Sequence, residues 1–298
     1  MPIPPRAYNR FVNRKKKRTP SSLRKFLRAL FFSAAASFAV ASCVLNPQLR
    51  EQIPVAPILE QLGFGAYAPS VPVAQDGEYV QTRFADCTQF FPGGQAPVVP
   101  ARRALRELCY DAFAILHSGQ TRTPVFVAQR LNRQLLAQAR AIPRTDRFFA
   151  DARLPTSERA ELDDYRNSGY SRGHMAPAGD MHTAEAMDQS FSLANMVPQD
   201  QRHNSGAWNK IENDTRQYVM RAKGDVYVFT GPVYAGRAAA TRAGRVAVPA
   251  YLYKVVHDPT AGRSWVHWQA NSPGSKAGAP ISYAEFVRRT GLRVLPTN

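Results

Sequence analysis

Residues 170–180 read YSRGHMAPAGD, and residues 203–212 read HNSGAWNKIE. In the first segment Arg172 and His174 alternate, so on a β-strand their side chains would point to the same face. Gly173 lies between them and, lacking a side chain, allows another group to approach the backbone closely. We predict that the first segment presents a histidine to a functional site and that the second, at the start of a helix, adds a polar side chain to it.

A long helical pattern follows, which we expect to run from about Gly206 to residue 222. Asn204 stands just before it, so its amide is either the N-cap of this helix or a metal ligand. Glu212 and Arg216 are four residues apart on one helix face with the acid first, which suits an ordinary ion pair. The alternative is that Glu212 holds a metal-bound water while Arg216 faces a phosphate.

These residue types suit hydrolysis of a phosphodiester. The reference pKa of histidine, about 6.5, allows His174 to accept a proton from water at neutral pH. Mg²⁺ prefers oxygen ligands and keeps most of its waters, so the single amide oxygen of Asn204 is enough to place it. Arginine binds phosphate oxygens through two donors at once, a role open to Arg172 and Arg216. Asn195 is expected to be structural and to anchor the loop between histidine and helix.

Three motifs follow one another along the chain: SRGHMAP with Asp180 (171–180), LANMVPQ (193–199) and N-x3-W-x3-E-x3-R (204–216). This ordered set resembles the DNA/RNA non-specific endonucleases, the ββα-metal (His-Me finger), endonuclease G-like group, over roughly residue 123 to the C-terminus. The resemblance implies that His174 is the general base and that Asn204 and waters hold Mg²⁺, with Mn²⁺ as the alternative ion.

The same resemblance implies that Glu212 orients the metal-bound waters and that Arg172, Arg216 and Arg147 face phosphate. It implies cleavage of DNA and RNA to 5′-phosphate products with little sequence preference. An inhibitor protein is left open as a further partner, although no feature of the sequence indicates one. One position departs from the family, which usually has Asp where this chain has Ser171. A hydroxyl replaces a hydrogen bond but not a charge, so we expect Ser171→Asp to leave Mg²⁺-dependent cleavage intact.

The charge of the chain fits a polyanionic substrate. The formal net charge is +17, and residues 1–28 contain ten Lys and Arg and no acid, which leaves +7 for the rest. A basic body attracts nucleic acid by displacing phosphate counterions and by steering encounter. Some exported proteins are simply basic, however, so the charge alone does not decide the partner.

The N-terminus predicts export. A basic segment precedes an uncharged, apolar run (29–48), which is typical of a signal peptide, a lipoprotein signal ending at Cys43 or a retained membrane anchor. In each case the body would be periplasmic, extracellular or anchored outside the cytoplasm. We divide the chain into this segment (1–45), a proline-containing tether (46–83) and a nuclease domain (84–298).

Two cysteines of the body, Cys87 and Cys109, are a candidate disulfide, with two free thiols as the alternative. The expected bond would be worth roughly 3 kcal/mol.

The secondary structure expected from the pattern is mixed. We predict helical spacing over 101–114, helices at 131–141 and 283–290, and a short helix that ends at 187–191. Strands are expected at 123–128, 226–230, 246–256 and 265–269, and 192–197 is a strand or an extended loop. Antiparallel strands mixed with helices favour an α+β fold.

Two other functions fit parts of the sequence. Residues 169–173 match G-x-S-x-G, which would make Ser171 the nucleophile of a serine hydrolase, but that requires a helix directly after the serine. A non-catalytic surface protein for nucleic-acid capture would also explain the basic body. Neither alternative needs Asn204 and Glu212. The oligomeric state is not predicted.

Overall fold

The computed structural model describes residues 71–72, 78–235 and 241–296. The predicted N-terminal signal or anchor (1–45) and most of the predicted tether lie outside these residues. None of the helices in the described ranges has the length and apolar character that a membrane span requires.

The fold is a mixed α+β arrangement with antiparallel sheets. The described strands are β1 Val71–Pro72, β2 Tyr79–Gln81, β3 Val98–Pro100, β4 Leu105–Cys109, β5 Ala114–Ser118, β6 Thr123–Leu131, β7 Ser171–His174, β8 Met196–Gln199, β9 Val226–Val233, β10 Arg242–Ala243, β11 Val246–Ala247, β12 Tyr251–Asp258 and β13 Arg263–Ala270. The described α-helices are α1 Arg133–Ala139, α2 Leu162–Tyr165, α3 Ala184–Ser190, α4 Gln201–His203, α5 Asn209–Val219 and α6 Tyr283–Thr290. A π-helical turn, Asn204–Trp208, joins α4 to α5.

The largest sheet in the described part of the chain has the order β1-β4-β5-β6-β9-β12-β13, and each neighbouring pair is antiparallel. Strands β6 and β9 are adjacent, and Leu131 at the end of β6 pairs with Val226 at the start of β9. The intervening chain, 132–225, therefore leaves the sheet and returns to the same place. It carries the short hairpin of β7 and β8 and the helices α1 to α5.

The two faces of the sheet bury different parts of the molecule. Successive side chains of β6 alternate between them, so Phe126 belongs to one hydrophobic cluster and Val127 to another. Phe286 of α6 packs in the cluster of Phe126, whereas Trp208 and Ile211, from the π turn and α5, pack in the cluster of Val127. The sheet thus separates α6 from the residues that carry the sequence motifs.

The prediction of helical spacing over 101–114 is wrong, because β4 and the start of β5 lie there. Its Ala, Arg, Leu and Glu residues favour helices in isolation. In the protein, β4 pairs with β1 and β5, and Glu107 is 4% exposed. The Glu107 carboxylate accepts hydrogen bonds from the backbone N–H groups of Arg83 and Phe84 at 2.7 and 2.8 Å. Tertiary contacts therefore override the local preference.

Most other predicted elements are present with shifted ends. The strand predicted over 246–256 is two strands, β11 and β12, with Pro249 between them, since proline lacks the N–H that a continuous ladder needs. The last helix matches its predicted bounds. Strand β2 pairs with β3, so Tyr79–Gln81, which falls in the predicted tether, belongs to the folded body.

The predicted disulfide between Cys87 and Cys109 is confirmed, with a Cα–Cα distance of 5.8 Å. It ties the chain at the short 3₁₀ turn Thr88–Phe90 to the end of β4. Cys87 is buried in the hydrophobic cluster on the α6 side of the sheet.

Candidate active site

The histidine motif forms the first strand of a two-stranded antiparallel hairpin whose strands are joined by residues 175–195. Strand β7 pairs with β8 so that His174 faces Met196 and Gly173 faces Val197. A Cβ atom added to Gly173 would lie 2.7 Å from the Cβ atom of Gln199. Glycine is therefore needed here because the Gln199 side chain lies across the strand, which fits the expectation that Gly173 allows a close approach.

Asn195 fastens the turn that follows the histidine. Its Nδ2 group donates to the carbonyl oxygens of Ala176 and Ser190, both at 2.9 Å, and its Oδ1 atom accepts from the Ala176 N–H at 2.8 Å. Asn195 is fully buried, and its backbone oxygen accepts from the N–H of Met175 at 2.9 Å. These bonds fix the backbone directly after His174 against the segment that enters β8.

The second motif lies inside a continuous helical run and not in front of one. The Asp200 side chain caps this run by accepting from the N–H of His203 at 2.9 Å, so the helix begins at Gln201 and the prediction of a start near Gly206 is wrong. Asn204 has right-handed helical φ and ψ and opens the π turn, which excludes its role as N-cap. No hydrogen bond joins the Asn204 side chain to another described residue. Single π turns are often found at functional sites.

A cleft of about 380 Å³ lies between the hairpin and this helical run. Arg172 and His174 line it from β7, and Asn204, Glu212 and Arg216 line it from the π turn and α5. The remaining lining residues are Arg144, Pro177, Ala178, Gly179, Ser205 and Asn209. Five side chains singled out from the sequence thus meet in one place.

His174 is held between two aromatic rings. The centroids of Phe148 and Phe191 lie 5.9 and 5.0 Å from that of the imidazole. Burial lowers the pKa of His174 to about 3, and the positive charges of Arg144 and Arg172 add to this effect. The Nε2 atom is buried and has no hydrogen-bond partner among the described residues. At neutral pH the imidazole is therefore neutral, with a ring nitrogen left for a ligand.

Glu212 has the opposite shift. Burial raises its pKa to about 7, while the positive charges of Lys254 and Arg216 oppose that rise and the negative charge of Asp180 adds to it. Lys254 lies on β12, is 1% exposed, and donates from Nζ to the Thr230 hydroxyl at 2.8 Å. Burial likewise lowers the pKa of Lys254. Glu212 therefore titrates near neutral pH, and the positive charge of the buried Lys254 favours its ionised form.

Arg216 is oriented by two partners other than Glu212. Its guanidinium donates to Asp180 Oδ1 at 2.9 Å and to Asn213 Oδ1 at 2.8 Å. Gln129 donates to the other Asp180 oxygen at 3.4 Å. The simple helical ion pair considered for Glu212 and Arg216 is therefore not formed, and the Glu212 carboxylate stays available to the cleft.

The structure does not bring every predicted residue to the cleft. Arg147 is largely exposed and donates to both carboxylate oxygens of Asp188 at 3.0 Å, outside the cleft. Arg144, three residues earlier, lines the cleft instead. Arg172 stacks 4.0 Å above the ring centroid of Phe148. Ser171 lines a neighbouring groove together with Arg144 and Arg172.

The sequence did not single out Arg144 or Lys254. Arg144 lies in an irregular loop, and no motif distinguishes it from its neighbours. Lys254 could have been found, since a lysine inside the apolar strand YLYKVV is unusual and indicates a buried partner.

The serine hydrolase alternative fails on local structure. Ser171 is the first residue of β7 and is followed by three more strand residues, so the helix that a nucleophile elbow needs directly after the serine is absent. A 3₁₀ turn, Ala178–Asp180, comes next in the chain.

A family model for the DNA/RNA non-specific endonucleases matches residues 95–292. The chain belongs to this family. The matched range lies inside the predicted nuclease domain, whose boundaries at 84 and 298 remain a prediction. The resemblance that the three motifs carry is thereby confirmed.

Two curated relatives differ in how much of them is matched. The chain is 36% identical over 162 residues to the protein named nuclease EXOG, mitochondrial, of Xenopus laevis, which covers 49% of this chain but only 44% of that protein. It is 31% identical over 272 residues to the protein named endonuclease G, mitochondrial, of Bos taurus, which covers 84% of each. The prediction of export is wrong on this finding, because these family members are named as mitochondrial nucleases and not as exported ones.

The fold is also similar to a solved one. A crystal structure of an EndoG/EndoGI complex, described as showing the mechanism of EndoG inhibition, superposes with a TM-score of 0.58 at 26% identity. The match covers 71% of this chain and 90% of that one. The mixed α+β architecture with antiparallel sheets is thus similar to that of this structure.

Proposed function

We propose that this protein is a metal-dependent endonuclease with a ββα-metal core that hydrolyses phosphodiester bonds in DNA and RNA without sequence preference and leaves 5′-phosphates. The observation that carries the proposal is the meeting of His174, Asn204, Glu212, Arg172 and Arg216 around one cleft of about 380 Å³. Family membership and the names of the relatives support the same activity.

His174 acts as the general base in this proposal. Its neutral imidazole takes a proton from water, and the resulting hydroxide attacks phosphorus while the bond to the 3′ oxygen breaks. The departing 3′ oxygen takes up a proton from a second water molecule and leaves as a hydroxyl group. The hairpin and the Asn195 hydrogen bonds hold the ring in place, and Phe148 and Phe191 shield it from bulk water. A low pKa keeps the imidazole unprotonated at neutral pH, which is the form that accepts the proton.

Asn204 suits a hard divalent cation. Its amide is free of partners within the described residues, and the cleft around it is lined mainly by polar side chains. We therefore propose that Asn204 and waters hold Mg²⁺, or Mn²⁺ in its place, and that Glu212 orients those waters by hydrogen bonds. When bound, such an ion supplies charge stabilisation for the phosphate and its leaving oxygen.

Arg172 and Arg216 bind the phosphate oxygens of the scissile group. Each is held from outside the cleft, Arg172 by the ring of Phe148 and Arg216 by Asp180. Held in this way, they lose little freedom when the substrate arrives, and their charge stabilises the pentacoordinate phosphorus. Contacts of this kind reach the backbone and not the base edges, which fits a lack of sequence preference.

Partners follow from the same chemistry. DNA and RNA are the proposed substrates, and the similarity to a solved EndoG/EndoGI complex supports a protein inhibitor as a partner to test. Such an inhibitor would have to cover the cleft or its basic surroundings.

The decisive experiment is nicking of supercoiled plasmid and cleavage of a labelled RNA by the purified chain, in Mg²⁺ and in EDTA. We expect cleavage in Mg²⁺ only, 5′-phosphate ends, and losses of at least 100-fold in His174→Ala and Asn204→Ala. Equal nicking by wild type and His174→Ala would show that His174 is not the general base. Binding of DNA without any cleavage in Mg²⁺ or Mn²⁺ would favour a capture protein over a nuclease.

A further inference from the structure

Helices α1 and α5 lie side by side next to the cleft. Leu136 of α1 and Val219 of α5 belong to one hydrophobic cluster, and Arg133 donates from Nε to the carbonyl oxygen of Met220 at 2.8 Å. A groove of about 430 Å³ runs along this contact and shares Gly179 and Arg216 with the cleft. The groove is therefore continuous with the place where Arg216 meets the scissile phosphate in the proposed function.

The groove continues past the end of α5. A second stretch of about 590 Å³ shares Arg221 with the first and passes Arg133 and Lys223. Arg140 also lines the first stretch. Four basic side chains beyond Arg216 thus line one path that leads away from the cleft.

The charges along this path are free to meet an anion. Arg140, Arg221 and Lys223 are exposed, and none of them forms a salt bridge with an acid in the described ranges of the chain. The acid that lines the far stretch, Asp225, is already engaged by Asn132 at 2.8 Å and by Arg130 at 3.4 Å. The path therefore carries a net positive charge that no neighbouring carboxylate neutralises.

The composition of the path fits a phosphate backbone. Arg216 lies on α5 and Arg221 follows two residues after the end of that helix, so the positive charges are spread along the path. The lining of this path contains no aromatic side chain on which a base could stack, whereas the groove on the opposite side of the cleft contains Phe148, Tyr165 and Tyr170. Contacts on the α1–α5 side would thus be electrostatic and independent of sequence.

We propose that the groove between α1 and α5 binds the sugar-phosphate backbone of the substrate strand beyond the scissile bond, through Arg140, Arg221 and Lys223. The inference rests on the proposed function, since it assumes that a strand occupies the cleft. It assigns to this surface a preference for long strands over very short ones.

The test compares two single-stranded DNA substrates, a trinucleotide and a 20-mer, in Arg140→Glu/Arg221→Glu and in wild type. We expect KM for the 20-mer to rise at least tenfold in this variant, with kcat within about twofold. KM for the trinucleotide, which is too short to fill the groove, should change much less. The slope of log KM for the 20-mer against log salt should fall by about 1.5 because two phosphate contacts are lost.

Arg102→Glu/Arg103→Glu is the matched control, since both arginines are exposed and lie outside the groove. It makes the same change in net charge and should leave the ratio of the two KM values as in wild type. Thermal unfolding of both variants shows whether the fold is retained. If Arg140→Glu/Arg221→Glu keeps the KM ratio and the salt slope of wild type, the groove does not bind the strand. The nuclease proposal would still stand.

If wild type cleaves neither substrate, the proposed function fails, and the groove is then judged by binding alone. Fluorescence anisotropy of the 20-mer would have to show at least tenfold weaker binding to Arg140→Glu/Arg221→Glu than to the control. Equal binding to the two variants would overturn it.

Discussion

At the scale of single residues, the cleft holds two ionisable groups whose pKa values are shifted in opposite directions by burial. Burial lowers the pKa of His174 to about 3 because it disfavours the cationic imidazole. Burial raises the pKa of Glu212 to about 7 because it disfavours the anionic carboxylate. The buried Lys254 keeps the second shift from being larger. At neutral pH the cleft therefore holds a neutral imidazole and a carboxyl group that titrates in the same pH range.

Removing Lys254 should move the pH dependence of cleavage. In Lys254→Met the Glu212 carboxylate loses its positive neighbour, so its pKa rises further above about 7 and the acid limb of the kcat profile shifts to higher pH by about one unit. Thr230→Val is the control, because it removes the Lys254 hydrogen bond at 2.8 Å but keeps the charge. An acid limb at the same pH in wild type and Lys254→Met would contradict this role.

Two arginines separated by three positions offer a second test. Arg144 lines the cleft, while Arg147 pairs with Asp188 outside it. We expect Arg144→Ala to lower kcat/KM for plasmid DNA by about tenfold or more and Arg147→Ala to change it by less than threefold, as for an exposed ion pair. The opposite order would restore Arg147 to the place that the family resemblance implies.

The motifs predicted five of the cleft residues that lie between positions 171 and 216, because the spacing of these residues within a hairpin and a helix fixes where their side chains point. Arg144 escaped because an irregular loop has no period from which a direction can be derived. Lys254 was not predicted because the motifs lie in one segment of the chain, whereas Lys254 reaches the cleft from β12 of the main sheet. Sequence motifs therefore predict the cleft residues whose positions depend on one local segment. Residues that reach the cleft from distant elements, such as Lys254, can be placed there only from the folded structure.

At the scale of elements, the hairpin and the helical run each depend on one unusual position. Strand β7 can pair closely with β8 only because Gly173 leaves space for Gln199. The helical run widens into a π turn at Asn204, which the sequence did not predict because a π turn has no distinct residue pattern. The helix start that was expected near Gly206 lies at Gln201, because Asp200 caps the helix.

Two glycine substitutions separate these elements. Gly173→Ala would force its Cβ to within 2.7 Å of the Gln199 Cβ, so the two strands must move apart and His174 with them. We expect a loss of cleavage of at least tenfold and a lower Tm. Gly206→Ala meets no atom within 4 Å and lies in a helix, so the fold should be kept and the Tm should stay or rise slightly. Unchanged cleavage and Tm in Gly173→Ala would show that the hairpin has more room than its geometry implies.

At the scale of the whole molecule, the two faces of the largest described sheet pack against different parts of the chain. The face towards α6 is closed by an apolar cluster and the disulfide of Cys87 and Cys109, and the other face supports the cleft. The antiparallel α+β class was predictable because strand segments such as β9 and β13 are mixed with helical segments along the chain. The strand order was not, because the pairing of β6 with β9 spans the whole excursion from residue 132 to 225.

The disulfide should contribute to stability but not to chemistry. Its partners are 22 residues apart, so Cys87→Ala/Cys109→Ala should destabilise the fold by about 3 kcal/mol and lower the Tm by roughly 10 °C. Cleavage at 25 °C should be within twofold of wild type, because the bond lies on the face away from the cleft. Differential scanning calorimetry and a nicking assay check the two halves, and an equal Tm would mean that the bond adds no stability.

Leu131 and Val226 lie opposite each other where the chain leaves the sheet and returns to it. The segment between them covers one face of the sheet, because its residues Trp208 and Ile211 pack with Val127. A short turn that joined Leu131 directly to Val226 would therefore remove the cleft and also expose that apolar face to water. The cleft and the stability of the sheet depend on the same buried contacts.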